Sequence, residues 1–531
     1  MTVHYSLDSI VIRGRRLFGW GFFLHPSGAL ANCSLRVPLA SGGFFTFDVL
    51  PGGYREDLAA AFPQMPHAGG TGFMVSILLP ELPCHGDAML LMTTASGEEI
   101  EYPLPRFPDA YLAGSDVALS RSWKRLFEVA RQRGWASAIR SGFGVLAKRA
   151  VALAAPLRRR RKDAGQIAVS LDHGMGGGAA RYRQDRVNSL LSAGFCVLVV
   201  RPELSTLSYV IERHRPDGGY SEMRMSEQSV VLDYIDQCEP VHVEVNNLVG
   251  FEDPLAILKW ASVWRSAHTA RHLRFHLHDF HAACPSFTLI ASNRVHCALP
   301  PIEVCRRCLP ANARHTLGLH NDVDIAHWRA AWARFLAAAD GRIAFSQASV
   351  NLLTRALPTV VASQFDIQPH STPVSSIRAV TPVLGSSVRI AAVGHISHAK
   401  GATLVRELAR RSVDRGLPFE FVVVGTLEGA NSDVSQISVT GTFHRDALSD
   451  MLERVGAGIA FVPSICPETY SYVTDELMAT GLPLMVLALG APAERVASYA
   501  QGCILPVEGV DEQLDTIIAF IARLKAAEPL S

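Results

Sequence analysis

The feature that most constrains the fold is an alternation of short apolar runs with helical stretches, which begins at Gln166. One series of apolar runs reads QIAVSLD, FCVLVVR, VHVEVNN, LRFHLHD and RIAFSQ, and a second reads VRIAAVG, FEFVVVG, SQISVTG, AGIAFVP and LMVL. Strands buried on both faces are continuously apolar, and parallel strands need crossover helices between them. Each series therefore predicts a parallel sheet. The Pro-, Ser- and Thr-rich segment from His370 to Ser387 between the two series predicts an interdomain hinge.

The region before Gln166 follows two other patterns. Residues 1–112 alternate short apolar runs with Gly, Pro, Ser and Asn turns, which is typical of an antiparallel β-sandwich. Residues 113–163 are helical in pattern and basic, and they end in the run Arg158-Arg159-Arg160-Arg161-Lys162. Two interpretations of this segment stay open: helices that lie on an anionic membrane surface, or a solvated linker whose apolar face packs on a neighbouring domain.

The length and composition of the chain limit the classes of function that it can have. A chain of 531 residues is too long for one core, and a density of about one domain per 100–200 residues predicts three or four domains. With 50 basic and 49 acidic residues the net charge is +1, which gives no overall drive toward nucleic acid. We find no apolar run long enough for a signal peptide or a membrane span, so we expect a cytoplasmic protein whose ten cysteines are reduced thiols or metal ligands.

A glycine cluster follows the first strand of the first series. QIAVSLD leads into His173-Gly174-Met175-Gly176-Gly177-Gly178, and a helical stretch comes next. Strand, glycine loop and helix N-terminus form the opening unit of a Rossmann domain, where missing side chains let a ligand approach the backbone. Since glycines also serve ordinary tight turns, the loop alone is weak evidence for a ligand site.

The stretch from Phe461 to Arg495 reads as strand, loop, helix and strand. Glu468 is expected at or just before the helix start, and Glu476 two turns later, so that their Cα atoms lie roughly 12 Å apart on one face. Two carboxylates at this spacing can hold both ends of an elongated polar ligand, and the helix N-terminus between them suits a diphosphate. For an isolated pair of glutamates, the ordinary interpretation as residues that complement the helix dipole would be favoured.

Two motifs carry a resemblance to a known family. The segment PETYSYVTDELMATGLPLMV resembles the donor-sugar signature of retaining glycosyltransferases of family four, which have the two-Rossmann-domain architecture called GT-B. The segment His278-Asp279-Phe280 with Cys284-Pro285 resembles the HDY-x3-CP signature of a subgroup that acts on bacterial surface polysaccharides, and some members carry an N-terminal β-domain. The resemblance implies an α/β fold of two Rossmann-like domains facing a cleft, preceded by a β-sandwich. It assigns 164–372 to the acceptor side and 373–531 to the nucleotide sugar.

The resemblance also implies roles for individual residues. Glu468 would hold sugar hydroxyls, Lys400 the diphosphate and His278 the sugar from the opposite domain, and we take these three as the catalytic residues. His395 stands where the family usually has arginine, which leaves a second phosphate contact in doubt. The implied donor-binding residues are Glu476 at the ribose, Thr469 and Tyr470 through their N–H groups, His395, Gly394, and Gly441, Thr442 and Phe443 around the base. The implied cleft loop consists of Gly176, Gly177, Gly178 and Asp279.

The expected activity is retaining transfer of a hexose from a nucleotide diphosphate sugar to a glycan or lipid-linked glycan, in the synthesis of surface polysaccharide such as lipopolysaccharide. The family's front-face displacement needs no protein nucleophile, and we find no Asp-x-Asp motif that would suggest a catalytic metal. Expected partners are the donor, the acceptor and an anionic membrane surface at the inner face of the cytoplasmic membrane, with no nucleic acid. The alternatives are a catalytically silent glycan-binding or assembly protein and a nucleotide-sugar epimerase.

Four cysteines lie within 25 residues and end in a C-x2-C pair: Cys284, Cys297, Cys305 and Cys308. This spacing lets two thiolates reach one tetrahedral zinc ion. The competing interpretation is a group of buried free thiols. If zinc binds, four protein ligands leave no position for water, so we expect a structural ion and no cofactor for catalysis.

Overall fold

The computed structural model describes residues 4–24, 30–49, 51–53, 56–62, 64–65, 71–94, 97–104, 107, 165–312, 320, 322–429 and 437–527. The basic segment 113–163 lies outside these residues, so its two interpretations stay open. None of the described helices combines the length and hydropathy that a membrane crossing requires.

The N-terminal region forms two four-stranded antiparallel sheets, with strand orders β1-β2-β6-β5 and β4-β3-β7-β8. Residues from both sheets, such as Leu17, Phe23 and Leu35, share one buried core. The elements are β1 (His4–Arg13), β2 (Arg16–Leu24), β3 (Leu30–Pro38), β4 (Phe44–Asp48), β5 (Pro51–Gly53), α1 (Glu56–Ala61), β6 (Gly72–Leu78), β7 (Ala88–Thr94) and β8 (Glu99–Leu104). Because alternate residues of each strand face this shared core, the region is a β-sandwich, as predicted.

The first α/β domain contains an eight-stranded sheet of order β12-β11-β10-β9-β13-β14-β15-β16. Its strands are β9 (Ile167–Leu171), β10 (Cys196–Glu203), β11 (Ser208–His214), β12 (Tyr220–Met225), β13 (His242–Val245), β14 (His272–His276), β15 (Gly341–Ala344) and β16 (Asp366–Ile367). Its helices are α2 (Gly178–Ser192), α3 (Gln228–Gln237), α4 (Pro254–Ala267), α5 (Ile302–Ala311), α6 (Ile325–Ala338) and α7 (Gln347–Ala356). The five strands predicted from the apolar runs, together with β16, are parallel.

The sheet departs from the prediction after β10. We expected a helical stretch between FCVLVVR and VHVEVNN, but the chain first makes β11 and β12, an antiparallel hairpin added to β10. The reversal uses Arg215-Pro216-Asp217-Gly218-Gly219, where Gly218 has φ +82° and the Asp217 side chain accepts from Gly219 N at 2.9 Å. Asp-Gly-Gly after proline is a hairpin signal, and here it decides the local structure against the expected crossover helix.

The second α/β domain has a six-stranded parallel sheet of order β19-β18-β17-β20-β21-β22. Its strands are β17 (Val388–Ile396), β18 (Phe419–Leu427), β19 (Ile437–Val439), β20 (Ala457–Val462), β21 (Leu484–Leu487) and β22 (Gly502–Leu505). Its helices are α8 (Ala402–Asp414), α9 (Leu448–Arg454), α10 (Tyr472–Ala479), α11 (Gly490–Val496) and α12 (Val510–Ala527). The predicted architecture of two Rossmann-like domains preceded by a β-sandwich is confirmed.

Both sheets reverse their strand order at the first strand of the domain. In the first sheet β9 lies between β10 and β13, and in the second β17 lies between β18 and β20. Ligands of open α/β sheets bind beyond the carboxyl ends of the strands at such a switch point. The glycine cluster follows β9 and Lys400 follows β17, so the topology puts both predicted segments at ligand-binding positions.

Candidate functional site

A cavity of about 250 Å³ opens between the two α/β domains. Gly178, at the start of α2, is the lining residue that the first domain contributes. The second domain supplies the remaining lining residues, which are Val393, Gly394, His395, Ile396, Lys400, Val462, Pro463, Ser464, Glu468, Tyr470, Ser471, Tyr472 and Val473. The structure therefore brings together Lys400, Glu468, Gly394, His395, Tyr470 and Gly178, all of which the sequence had singled out.

An ion pair between Lys400 and Glu468 is the charged centre of this cavity. Lys400 Nζ lies 2.5 Å from Glu468 Oε2, and Ser464 Oγ donates to Glu468 Oε1. Burial pushes the pKa of Lys400 down, but the Glu468 charge outweighs it and the pKa is raised. The Lys400 side chain is 42% exposed and that of Glu468 is 10% exposed. An ammonium has three N–H donors, of which the contact with Glu468 uses one.

Glycine is required where the Lys400 loop meets β20. Gly401 has φ +90°, and a Cβ added there would lie 2.1 Å from the Pro463 carbonyl oxygen. Any other residue would separate the loop after β17 from the loop after β20. Gly401 therefore allows Lys400 and Glu468 to meet.

The position of Glu468 corrects the sequence prediction. Helix α10 begins at Tyr472, four residues after Glu468, so the two glutamates do not lie on one helix and the N–H groups of Thr469 and Tyr470 belong to a loop. The loop is held from the other side, where Ala491 N donates to the Glu468 carbonyl at 2.8 Å. The Pro467-Glu468-Thr469 segment extends the loop further than the helical pattern suggested.

Thr469 and Tyr470 connect the domains through their side chains. Thr469 Oγ1 donates to the His278 carbonyl at 2.7 Å, and Tyr470 OH donates to the His370 carbonyl at 2.8 Å. Tyr470 also contacts Asp475, which accepts from Thr372 Oγ1 at 2.7 Å and pairs with Arg495 at 2.5 Å. Asp475 thus joins α10 to Thr372, at the start of the predicted hinge segment, a role that the sequence analysis missed because Thr372 lies 103 positions away in the chain.

Glu476 lies outside the cavity lining. Its buried carboxylate accepts from Arg445 Nε, and Arg445 also donates to the Pro373 carbonyl. Burial raises the pKa of Glu476, against the effect of Arg445. The pair connects α10 to the loop that follows Gly441, Thr442 and Phe443. Phe443 packs on the domain core and Thr442 is exposed, so the base-binding role of this loop stays a prediction.

His278 is packed among aromatic rings on the first-domain side. Its ring centroid lies 4.8 Å from those of Tyr182 and Phe345 and 6.1 Å from that of His370. Burial holds the pKa of His278 well below its ordinary value, so the ring is neutral. Its Nε2 has no hydrogen-bond partner among the described residues. The ring does not line the cavity, and its contact with the donor sugar stays a prediction.

A buried polar network lies beneath this aromatic group. Tyr182 OH lies 2.9 Å from His276 Nδ1, His276 Nε2 lies 3.6 Å from Glu244, and Arg186 donates to Glu244 at 2.5 Å. His242 Nε2 lies 3.0 Å from the same carboxylate. Burial would raise the pKa of Glu244, but His242, His276 and Arg186 outweigh it and the pKa is lowered. Only the tertiary fold brings these residues together, so no local motif could have revealed the network.

The cleft loop of the first domain is fixed by carboxylates. Asp279 accepts from Asn247 Nδ2 at 2.6 Å and from His281 N at 2.9 Å, and burial raises its pKa to about 6. Asp172, which pairs with Arg183 at 3.3 Å, is fully buried below the glycine loop. Asp279 therefore holds the loop through the two hydrogen bonds that it accepts. Gly176 and Gly177 have open space at the Cβ position, as expected of a loop that a ligand can approach.

His395 lines the cavity described above, whereas the four clustered cysteines line a second cavity. His395 is exposed on the cavity and its Nδ1 lies 2.7 Å from Thr426 Oγ1. The four clustered cysteines line a second cavity, of about 310 Å³, whose lining includes Cys284, Cys297, Cys305 and Cys308. Burial raises the pKa of Cys284 to about 12. Within the described residues no three His, Cys, Asp or Glu side chains are arranged to hold a metal ion, so the zinc site stays a prediction.

Comparison with known proteins gives a distant structural likeness. No protein-family model matches the chain, and the curated proteins contain no significant match. Sucrose-phosphate synthase from Thermosynechococcus elongatus is 16% identical, with 68% of this chain and 90% of that chain covered and a TM-score of 0.44. HepE from Anabaena in complex with UDP has the same identity and coverage and a TM-score of 0.39. A glycosyltransferase from Rickettsia africae is 12% identical, with 68% and 89% covered and a TM-score of 0.43.

These values are too low to assign a function to this chain. Its two facing Rossmann-like sheets have the GT-B architecture, with an additional antiparallel sheet region at the N-terminus. The family assignment made from the motifs stays a prediction.

Proposed function

We propose that the chain is a glycosyltransferase that takes a sugar from a nucleotide diphosphate donor and transfers it to a glycan acceptor. The observation that carries this proposal is the Lys400–Glu468 pair in a cavity between two Rossmann-like domains, at the switch points of both sheets. Of these two lining groups, the cationic Lys400 suits the diphosphate of such a donor, and the anionic Glu468 suits the hydroxyl groups of its sugar.

The leaving group sets the electrostatic requirement. When the glycosidic bond to the diphosphate breaks, negative charge grows on the phosphate oxygens, and a fixed cation there lowers the barrier. Lys400 has three N–H donors, of which Glu468 engages one. The remaining donors serve the diphosphate, while the acceptor-only Glu468 orients the sugar through its hydroxyls.

We further propose that the reaction retains the anomeric configuration by front-face displacement. A double displacement needs a carboxylate nucleophile and a second acid–base carboxyl group about 5–5.5 Å away. Of the described residues that line the cavity, Glu468 alone carries a carboxylate, and it is bonded to both Lys400 and Ser464. A leaving diphosphate that removes the proton of the incoming hydroxyl needs no such pair. With Lys400 as the fixed cation, the reaction proceeds without a divalent metal.

The biological setting that we propose rests on the motif resemblance. The HDF-x3-CP segment favours a hexose donor and a glycan or lipid-linked acceptor in surface-polysaccharide synthesis. The basic run Arg158-Arg159-Arg160-Arg161-Lys162 would hold the enzyme at the cytoplasmic membrane, since each basic residue near an anionic surface contributes about 1 kcal/mol. Flotation with anionic liposomes should fall when the five residues are neutralised. Equal flotation would favour the linker interpretation.

The enzymatic proposal is tested by nucleotide release from UDP-, GDP- and dTDP-sugars, with and without EDTA. The wild-type protein should turn over at least one donor, and EDTA should not inhibit it. Lys400→Ala and Glu468→Ala should each lower the rate by about 10²–10³, the usual cost of losing one charge-stabilising group. Lys259→Ala, at an exposed position of α4, is the matched control and should keep full activity.

Equal activity in all four proteins would remove this cavity from the mechanism. If the protein binds a donor but releases no nucleotide with any acceptor, the catalytically silent alternative is supported instead. The presence of His395, where the family usually has arginine, is the sequence feature that favours this silent alternative.

A further inference from the structure

We propose that Arg181 of the first α/β domain binds the donor diphosphate across the cleft from Lys400, as a second cation beside the interdomain cavity. The proposal deepens the proposed function and rests on it, because it names a further binding residue for the same nucleotide diphosphate donor. Binding by Arg181 gives the site one cation from each domain.

The charges that line the cavity leave a diphosphate without full compensation. Lys400 Nζ and Glu468 Oε2 lie 2.5 Å apart, and their formal charges cancel. His395 is the third ionisable side chain among the described lining residues that bears on this balance, and an imidazole is cationic only when protonated. A nucleoside diphosphate carries more than one negative charge, and moving an unpaired anion out of water is costly. A further cation at the cavity therefore favours both donor binding and departure of the leaving group.

Two observations place Arg181 beside the cavity. It lies three positions after Gly178 on α2, and residues three apart share one face of a helix. Gly178 lines the cavity, so this face of α2 is turned toward it. The guanidinium carbon of Arg181 also lies 4.9 Å from the ring centroid of Tyr472, which is a lining residue from the second domain. The guanidinium therefore reaches across the cleft, next to the space that a donor would occupy.

The ring of Tyr472 is held in a defined position. A Cβ added at Gly178 would lie 3.0 Å from Cε2 of Tyr472, so a side chain at this position would force the ring to shift. At the other end of the ring, the Tyr472 hydroxyl lies 2.8 Å from Nδ1 of His370. Tyr472 is thus a fixed aromatic surface over which the Arg181 guanidinium lies in cation–π geometry.

The N–H donors of Arg181 remain available to a ligand. A guanidinium has five N–H donors in its plane, and stacking on a ring uses its face. Among the described residues Arg181 forms no hydrogen bond or ion pair, whereas Arg183 and Arg186 on the same helix each pair with a buried carboxylate. A planar fork of donors matches two phosphate oxygens, so Arg181 is chemically suited to a diphosphate.

Two carboxylates lie in the electrostatic surroundings of this stack. Glu476 is within reach of the Arg181 charge, but its carboxylate accepts from Arg445. Asp185, four positions further along α2, is exposed and forms no ion pair within the part of the chain that the structure describes. Exposed charges at this distance are weakened by solvent. The Arg181 charge is therefore not neutralised by a direct partner.

The test is isothermal titration calorimetry of the full-length protein with UDP, GDP, dTDP, the matching nucleosides and inorganic pyrophosphate. Arg181→Ala should bind the preferred nucleoside diphosphate and pyrophosphate about ten-fold more weakly than wild type, with unchanged nucleoside binding. Arg181→Lys keeps the charge without the fork and should recover part of the affinity. Arg334→Ala is the matched control, because Arg334 is an exposed arginine on α6 of the same domain.

The competing interpretation is a purely structural stack that joins the two domains. In that case Arg181→Ala would lower the melting temperature and weaken nucleoside and nucleoside diphosphate binding to the same extent. We expect instead that the affinity loss requires the diphosphate and shrinks as the salt concentration rises, because added ions screen the contact. An equal loss for both ligands, or unchanged diphosphate affinity in Arg181→Ala, would overturn the proposal.

Kinetics distinguish a donor phosphate from an acceptor phosphate. Arg181→Ala should raise the donor KM and leave the acceptor KM unchanged, whereas a rise confined to phosphate-bearing acceptors would overturn the donor assignment.

The same titrations separate this proposal from the proposed function. Diphosphate affinity that falls in Lys400→Ala but not in Arg181→Ala would overturn only the role of Arg181. Arg181-dependent binding of pyrophosphate without binding of any nucleoside diphosphate would support Arg181 as an anion ligand and contradict the glycosyltransferase proposal. If wild type binds none of these anions, both proposals are wrong.

Discussion

The two α/β domains face one cleft but present different chemistry to it. In the first domain Glu244 is fully buried and paired with Arg186. In the second domain Lys400 is 42% exposed and His395 is exposed. Burying a charge is costly unless it is paired, so the first arrangement fixes shape, whereas the second leaves groups available to a ligand. We therefore propose that the first domain mainly shapes the cavity and that the second supplies its charged lining groups.

Breaking the buried network of the first domain should have the largest effect on stability. Glu244→Gln leaves Arg186 without its charge partner, and losing one partner of a buried pair typically costs about 3–5 kcal/mol. We expect a lower melting temperature, measured by calorimetry. The double variant Glu244→Gln/Arg186→Gln should be less destabilised than the sum of the single variants. Glu212→Gln, in a partly exposed pair with Arg201, is the milder control.

The same network predicts a pH dependence. The pKa of Glu244 is lower in the folded protein than its ordinary value of 4.5. Its stabilising contribution is therefore fully present above about pH 4.5 and is lost as the pH falls below that value. The melting temperatures of wild type and Glu244→Gln should converge in this acid range. A constant difference down to the lowest pH would show that Glu244 does not carry the charge assigned to it.

The cysteine cavity allows a test of whether the first α/β domain contains a structural metal ion. If Cys284, Cys297, Cys305 and Cys308 shift to bind zinc, elemental analysis should give about one zinc per chain. Cys305→Ser/Cys308→Ser should lose the metal and melt about 5 °C lower. Cys503→Ser is the control, because Cys503 lies in β22 of the other domain. Protein purified without chelators that contains no metal would show that the four are packed thiols.

A smaller effect is expected at the position where we propose that the second domain holds the nucleoside. Glu476→Ala and Arg445→Ala remove opposite partners of one pair and should weaken donor binding by a similar amount, about ten-fold, because the pair connects α10 to the loop after Gly441. Because these residues are remote from the bond that breaks, KM should change more than kcat. A fall in kcat alone would place Glu476 at the reacting atoms instead.

The contrast between the domains also explains what the sequence could reveal. The apolar runs predicted both sheets, and Lys400 and Glu468 were found because each lies in a recognisable segment directly after a strand. Glu244, His276 and Arg186 were missed because they meet only through the sheet packing, up to 90 positions apart in the chain. The start of α10 was misplaced because Thr469 and Tyr470 are held by His278 and His370 of the opposite side, contacts that no local pattern encodes.

The most direct test of the account is the affinity of the protein for UDP, GDP and dTDP, measured by isothermal titration calorimetry on wild type and Lys400→Ala. If the second domain provides the cation for the diphosphate, wild type should bind at least one of these nucleotides, and Lys400→Ala should bind it at least ten-fold more weakly at low salt. The corresponding nucleosides should bind both proteins equally. The same nucleoside diphosphate affinity in both proteins would contradict the assignment of the cavity.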